Sequence, residues 1–226
     1  MSWRKIAWGL CSSFVLAGCA GTQPSASARS GSAADTGSLQ GTHPQDAARA
    51  RLRAVIRDQS FFDHLSDAVR ATTISEPFSG KMMILYQVDE HGAARGAQAA
   101  DLAEAGVTRE ALRAVVEWNL AQLLAVPLSC TSHALTEPAR HDFYETSRLL
   151  LDKQWAELAA AAGSVVVAAP SNDTLFVACN PTPEVLQKLE VIVQNTYPRA
   201  ARPVSPSLLT WTHDGWRELP AQAKAN

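Results

Sequence analysis

The spacing of apolar positions divides this chain into a leading apolar segment, a polar stretch, and a long remainder in which helical and strand periods alternate. In that remainder, from Asp46 to about Thr72, Leu52, Val55, Ile56, Phe62, Leu65 and Val69 recur near helical spacing, which predicts one helix or two short ones. Glu76-Pro77 and Ser79-Gly80 then punctuate the chain. After them comes Met82-Met83-Ile84-Leu85-Tyr86-Gln87-Val88, a run short and apolar enough for a buried strand. Asp89 to Gly96 reads as a turn or loop. Thr108 is placed to cap a helix running to about Ala125, with Glu110 in its first turn and Val107 able to pack on Leu112. Its apolar stripe is Leu112, Val115, Val116 and Leu123, and Asn119 falls inside that stripe.

A weak strand around Val126 to Ser132 leads to a second amphipathic helix, from about Asp142 to Ala162, stopped by Gly163. Phe143, Ser147, Leu150, Leu151, Gln154 and Leu158 share one side of it. Val165 to Ala169 and Leu175 to Cys179 are apolar runs joined by Pro170-Ser171-Asn172-Asp173-Thr174, a hairpin whose strands should be central and covered on both faces. Thr182 and Pro183 open a further helix with Val185, Leu186, Leu189, Val193 and Tyr197 on its inner face, ended by Tyr197-Pro198. Leu208 to Thr212 reads as a last strand, with His213-Asp214-Gly215-Trp216 turning away and a polar tail to Asn226. The interleaved elements and the hairpin together predict a single α+β domain over 46–226, with a mixed or mainly antiparallel sheet packed by amphipathic helices. No glycine-rich phosphate loop follows any strand, which disfavours a Rossmann fold. No repeat of fixed period is visible.

The leading segment changes the picture. Arg4 and Lys5 precede an apolar stretch from Ile6 to Val15 that is too short to span a bilayer, and Leu16-Ala17-Gly18-Cys19 follows at once. This order reads as a lipoprotein signal peptide over 1–18, with Cys19 lipidated and made the new N-terminus. Two or more acyl chains make such an anchor stable where one would be marginal. The position after the cysteine is Ala20 rather than the aspartate that commonly retains lipoproteins at the inner membrane, so the expected place is the outer membrane, facing the periplasm. The polar, small-residue stretch to Gln45 is expected to be a flexible linker (19–45) reaching on the order of 25 to 30 Å.

The chain carries a formal charge of −2, and the leader holds Arg4 and Lys5 without an acid, so the remainder stands at −4 before its terminal groups. Nucleic acid is not an expected partner. Arg49, Arg51, Arg53 and Arg57 are diluted by Asp46 and Asp58 and read as a solvated helix face. Of four cysteines, Cys11 leaves with the leader and Cys19 takes lipid, leaving Cys130 and Cys179. In an oxidising compartment these either form one disulfide or stay as separate buried thiols. Neither has a His or Cys at ligand spacing, so they do not make a zinc site.

Five segments resemble an uncharacterised bacterial group, the domain of unknown function 1444 family: 85–89 (Leu-Tyr-Gln-Val-Asp), 117–120 (Glu-Trp-Asn-Leu), 142–151 from Asp142 to Leu151, 169–173 from Ala169 to Asp173, and 205–209 from Ser205 to Leu209. From first to last they span most of the predicted domain. Asn172 stands where the family pattern carries an arginine, and the resemblance implies no activity, cofactor or ligand.

Two chemistries can be assembled from the polar residues. Nucleophilic hydrolysis would use Ser147, His141, Asp142 and Asp173, but Ser147 sits on the apolar side of a predicted helix without a strained elbow, and His141 is six residues away, off the helical spacings. A metal site would use His133, His141, Asp142 and Glu145, without a His-Glu-x-x-His or Cys-x-x-Cys element. Asp173 reads as a turn residue bonding local backbone amides, and Trp211 and Trp216 as core or edge aromatics that could instead line a groove. No cofactor is expected. Two functions follow: a non-catalytic envelope module that binds a protein or a cell-wall component from its membrane tether, or a hydrolase acting on envelope material. Asn119, Ser147 and Asp173 converging in an open pocket would favour the hydrolase; their burial in backbone hydrogen bonds would favour the module.

Overall fold

The computed structural model describes residues 43–90, 93–137 and 143–220. The first helix, α1 (Pro44–Ala50), has proline at its first position, where a missing N–H costs nothing. It passes directly into a strand, β1 (Leu52–Asp58), where a helix was expected. Leu52, Val55 and Ile56 do match a helical spacing, but Ala54 between them is equally buried, and a strand covered on both faces has no period that separates it from a helix. Two short helices follow, α2 (Ser60–Asp63) and α3 (Asp67–Thr72), the second capped by Ser66, whose Oγ accepts from the Val69 N–H.

The first sheet is built on β3 (Met82–Glu90). β1 runs antiparallel along one edge of it, from Leu52 opposite Val88 to Asp58 opposite Met82. The other edge is shared end to end by β2 (Ser75–Pro77) and β4 (Ala93–Gly96). Much of the stretch expected to be a loop after Val88 is therefore a hairpin: Gln87 to Glu90 pair with Ala93 to Gly96, a pairing the short and exposed β4 does not announce by hydrophobicity. The chain then forms α4 (Ala99–Glu104) and α5 (Arg109–Leu123). Thr108 caps α5 by accepting from the Ala111 N–H, and Leu112, Val116 and Leu120 are buried on its inner face.

No strand forms at 126–132; the backbone there makes one isolated parallel bridge, Ser132 with Cys179, before the short β5 (Leu135–Thr136). The helix expected from Asp142 is divided in two. Glu145–Leu150 is a 3₁₀ helix buried at all six positions, Leu151 leaves helical geometry with ψ of 65°, and α6 (Asp152–Ala162) then runs to Gly163 at φ 92°. A glycine at that left-handed position ends a helix without a Cβ penalty.

The second sheet follows the order β5-β7-β6-β8-β9 and is antiparallel throughout. Its hairpin is β6 (Val165–Ser171) with β7 (Thr174–Cys179), and β6 is buried at all seven positions. Alternate side chains of β6 serve two cores: Val166 and Ala168 meet Val185, Leu189 and Val193 of α7 (Pro183–Thr196), while Val165, Val167 and Ala169 join the main core shared with β1 and β3. β8 (Leu208–Thr212) pairs with β6, and β9 (Gly215–Glu218) pairs back on β8. Gly215 and Trp216 thus continue the sheet, and only His213-Asp214 make the turn. The molecule is an α+β fold with two antiparallel sheets rather than one, joined through the buried 3₁₀ segment.

Candidate functional site

The polar residues singled out from the sequence lie in separate places. Asn119 is half-buried on α5, and its Nδ2 donates to the carbonyls of Arg49 (2.8 Å) and Leu52 (2.9 Å). Ser147 has no exposed surface, and its Oγ donates to the carbonyl of Ala54 at 2.8 Å. The acceptor lies on β1, outside the helical segment that carries the serine. Asp173 sits in the β6–β7 turn, where its Oδ1 accepts from the hydroxyls of Ser171 (2.5 Å) and Thr174 (3.2 Å). The Ser171 hydroxyl is the main reason its carboxyl is held below the usual range. Asp173 is thus a local turn device whose partners are hydroxyls as well as backbone.

Two of these contacts share a purpose. The Asp89 N–H donates to Arg51 O at 2.9 Å, which places the even-numbered residues of β1 with their backbone groups facing away from β3. The outward carbonyls of Leu52, Ala54 and Ile56 are each capped by a side chain: Asn119 and Arg53 on Leu52, Ser147 on Ala54, and Arg57 Nη1 on Ile56 at 3.1 Å. Asp58 N completes the row by donating to Pro203 O at 3.1 Å. An exposed strand edge invites pairing with another chain, and buried carbonyls without donors are costly, so this row closes the sheet on that side.

The 3₁₀ segment holds a buried ion pair, Arg148 Nε to Glu145 Oε1 at 2.7 Å. Arg148 Nη1 also reaches the carbonyls of Leu124 and Val126, closing the C-terminal end of α5. Trp155 and Trp216 donate their indole N–H groups to the carbonyls of Arg148 and Leu149, and their rings meet edge to face at 4.8 Å. Trp216 is therefore core rather than groove lining, with Trp211 edge-on to it at 5.2 Å. His133 lies on the surface with Nδ1 2.6 Å from Asn180 O, and among the described residues no three metal-ligating side chains come together. Cys19, His141 and Asp142 fall outside the described residues.

Cys130 and Cys179 are joined, with Cα atoms 5.9 Å apart, in the range a disulfide spans. Among the described residues no helix is long and apolar enough to cross a membrane.

One feature escaped sequence reasoning. A groove of about 470 Å³ opens between α3, β2 and the start of α4, lined by Thr72, Thr73, Ser75, Gln98 and Arg109 among others. Arg109 donates to Ser75 O at 2.6 Å and stacks 5.5 Å from the Tyr86 ring centroid. Beside the groove, Tyr86 donates to Glu76 Oε1 at 2.8 Å; burial first, then this bond, pushes its phenol well above the ordinary range. Arg113 bonds both Glu76 and Glu117. The groove offers hydroxyls, an amide and a guanidinium, which can bind a ligand, while the ionisable groups next to it are committed to one another. It joins short segments distant in sequence, and no local pattern announces it.

Comparison with protein-family models, curated proteins and solved structures finds no match to this chain. The resemblance drawn from the five sequence segments stands on those segments alone.

Proposed function

We propose that this chain is a lipid-anchored protein of the bacterial cell envelope, tethered through Cys19 to the outer membrane, whose folded domain is a non-catalytic module binding an envelope protein or a cell-wall component. The observation that carries the non-catalytic reading is Ser147: a nucleophile must be reachable by substrate, and this hydroxyl is fully buried and donates to Ala54 O. Asn119 and Asp173 are likewise committed, to a strand edge and to a turn. The Cys130 to Cys179 pairing suits an oxidising compartment and supports the envelope location. The basic, apolar and lipobox segments, in that order, support the anchor.

Labelling with radioactive palmitate followed by membrane fractionation tests the anchor. The parent chain is expected to take up label and sediment with membranes. Cys19→Ser is expected to take up none, and to be released or remain uncleaved. A Cys19→Ser chain that labels and fractionates like the parent would refute the anchor.

A further inference from the structure

Three segments meet at the C-terminal end of β1, and each brings an aromatic ring or a guanidinium. Arg57, on β1, is only 3% exposed. Its guanidinium carbon lies 5.5 Å from the ring centroid of Phe143 and 6.0 Å from that of Phe61. Arg202, which is exposed, stands over the same Phe143 ring at 4.3 Å. The backbone around them is tied: Asp58 N donates to Pro203 O, Asn172 N donates to Arg202 O at 3.2 Å, and Asn172 Nδ2 donates to Phe143 O at 3.1 Å. Asn172 is itself buried, so the positions of both Phe143 and Arg202 are set by one well-held side chain and its backbone.

Among the described residues, no carboxylate is paired with this cluster, although Asp173 is near enough to Arg202 for that charge to help hold its carboxyl low. Neither guanidinium has a carboxylate of the described residues within 4 Å, and Asp58 and Asp173 face other donors. Asp58 accepts from Ser60 N at 2.8 Å and from the Tyr197 hydroxyl at 3.1 Å, and Asp173 accepts from Ser171 and Thr174. Among the described residues Arg57 makes one hydrogen bond, to Ile56 O, which uses one of the five donors of its fork. A buried guanidinium without a counter-ion is unfavourable, and ring faces compensate only in part. Burial, and then the like charge of Arg202, lower the Arg57 pKa to about 10.

We propose that Arg57, Phe143 and Arg202 form an oxyanion site that takes a phosphate group. Guanidinium forks match the oxygens of phosphate, and a pair of positive charges suits an anion of more than one charge better than a single carboxylate. The phosphate can come from a soluble phosphorylated molecule or from a phosphodiester lipid headgroup. This deepens the binding-module reading by naming a ligand class.

The test uses the full chain in detergent at constant ionic strength, titrated with inorganic phosphate, with glycerophosphoglycerol as a deacylated lipid headgroup, and with acetate. Binding is read by calorimetry and by the rise in the thermal midpoint. Saturable binding of phosphate or of the phosphodiester, stronger than of acetate, is expected. Arg202→Gln should weaken it about tenfold or more, as loss of a charge-assisted hydrogen bond does. Arg199→Gln, a change at an exposed neighbouring arginine, should leave it unaltered. A preference for inorganic phosphate identifies a soluble ligand, and a preference for the diester a lipid headgroup. Absence of saturable binding to either, or equal binding by parent and Arg202→Gln, overturns the site. Arg202 lies on the surface, so its variant keeps the test readable where Arg57→Gln could fail to fold. Palmitate labelling at Cys19 does not depend on this site, so the two readings fail separately.

Discussion

Asn119 and Ser147 come from different helical segments and cap the same strand edge: Asn119 Nδ2 lies 2.9 Å from Leu52 O, and Ser147 Oγ lies 2.8 Å from Ala54 O, two residues further along β1. The neighbouring Thr146 faces the other way, donating through both its N–H and its hydroxyl to Asn172 O in the β6–β7 turn of the second sheet. The 3₁₀ segment therefore fastens one sheet with Ser147 and the other with Thr146. Its polar side chains are explained by the backbone they satisfy.

The Asn119 contact should be measurable. Asn119→Ala removes donors from two carbonyls, one of them at a buried strand, and is expected to cost about 1 to 3 kcal/mol. Urea unfolding against the parent checks this. A midpoint unchanged within error would mean that water replaces the amide at no cost and that the edge needs no cap.

Cys130 and Cys179 are separated by 49 residues, and closing a loop of that length should contribute on the order of 4 kcal/mol in the chain-entropy model. Thiol titration of the unreduced, denatured chain should therefore detect neither of these two thiols. Reduction should lower the thermal midpoint. Both thiols reacting without reduction would place the cysteines in the core as free side chains.

Acid should loosen the start of α4. Asp101 accepts from both terminal nitrogens of Arg95 at 2.6 and 2.7 Å and from the Gln98 N–H at 2.8 Å, and the Arg95 bonds above all hold its carboxyl below the usual range. A depressed carboxyl contributes stability that is complete above its unfolded pKa and is lost as pH falls through the lower folded value. With Arg95 about half exposed, the contribution is about 0.5 to 1 kcal/mol. Asp101→Asn should be less stable than the parent near neutrality and should converge with it in acid. A difference that is constant with pH would show that charge at Asp101 is not what stabilises α4.

Elements with their own end signals were legible in the sequence. Thr108 and Thr182 cap α5 and α7 as their positions suggested, and the β6–β7 hairpin follows from two apolar runs around a turn-rich link. β1 was not, because Leu52, Val55 and Ile56 fit a helical period and Arg53 and Arg57 imitate its polar face, while the pairing that makes it a strand comes from β3, some thirty residues on. The break at Leu151 escaped for a similar reason: the apolar side chains on both sides of it keep a helical rhythm, and the 3₁₀ segment is held by carbonyl acceptors on β1, at the end of α5 and in the β6–β7 turn. Among the candidate site residues, Asn119 and Ser147 stood out as polar groups in apolar stripes. That they cap one strand edge could not be read until the strand itself was seen.

The most direct measurement is Ser147→Ala, comparing complementation of a deletion strain with the thermal midpoint and membrane level of the variant. If Ser147 serves the fold, the variant loses about 1 to 2 kcal/mol, because Ala54 O is left without its donor, and it complements wherever enough folded protein remains. Lost complementation with an unchanged midpoint and an unchanged membrane level would contradict the structural role and make the hydroxyl a functional group.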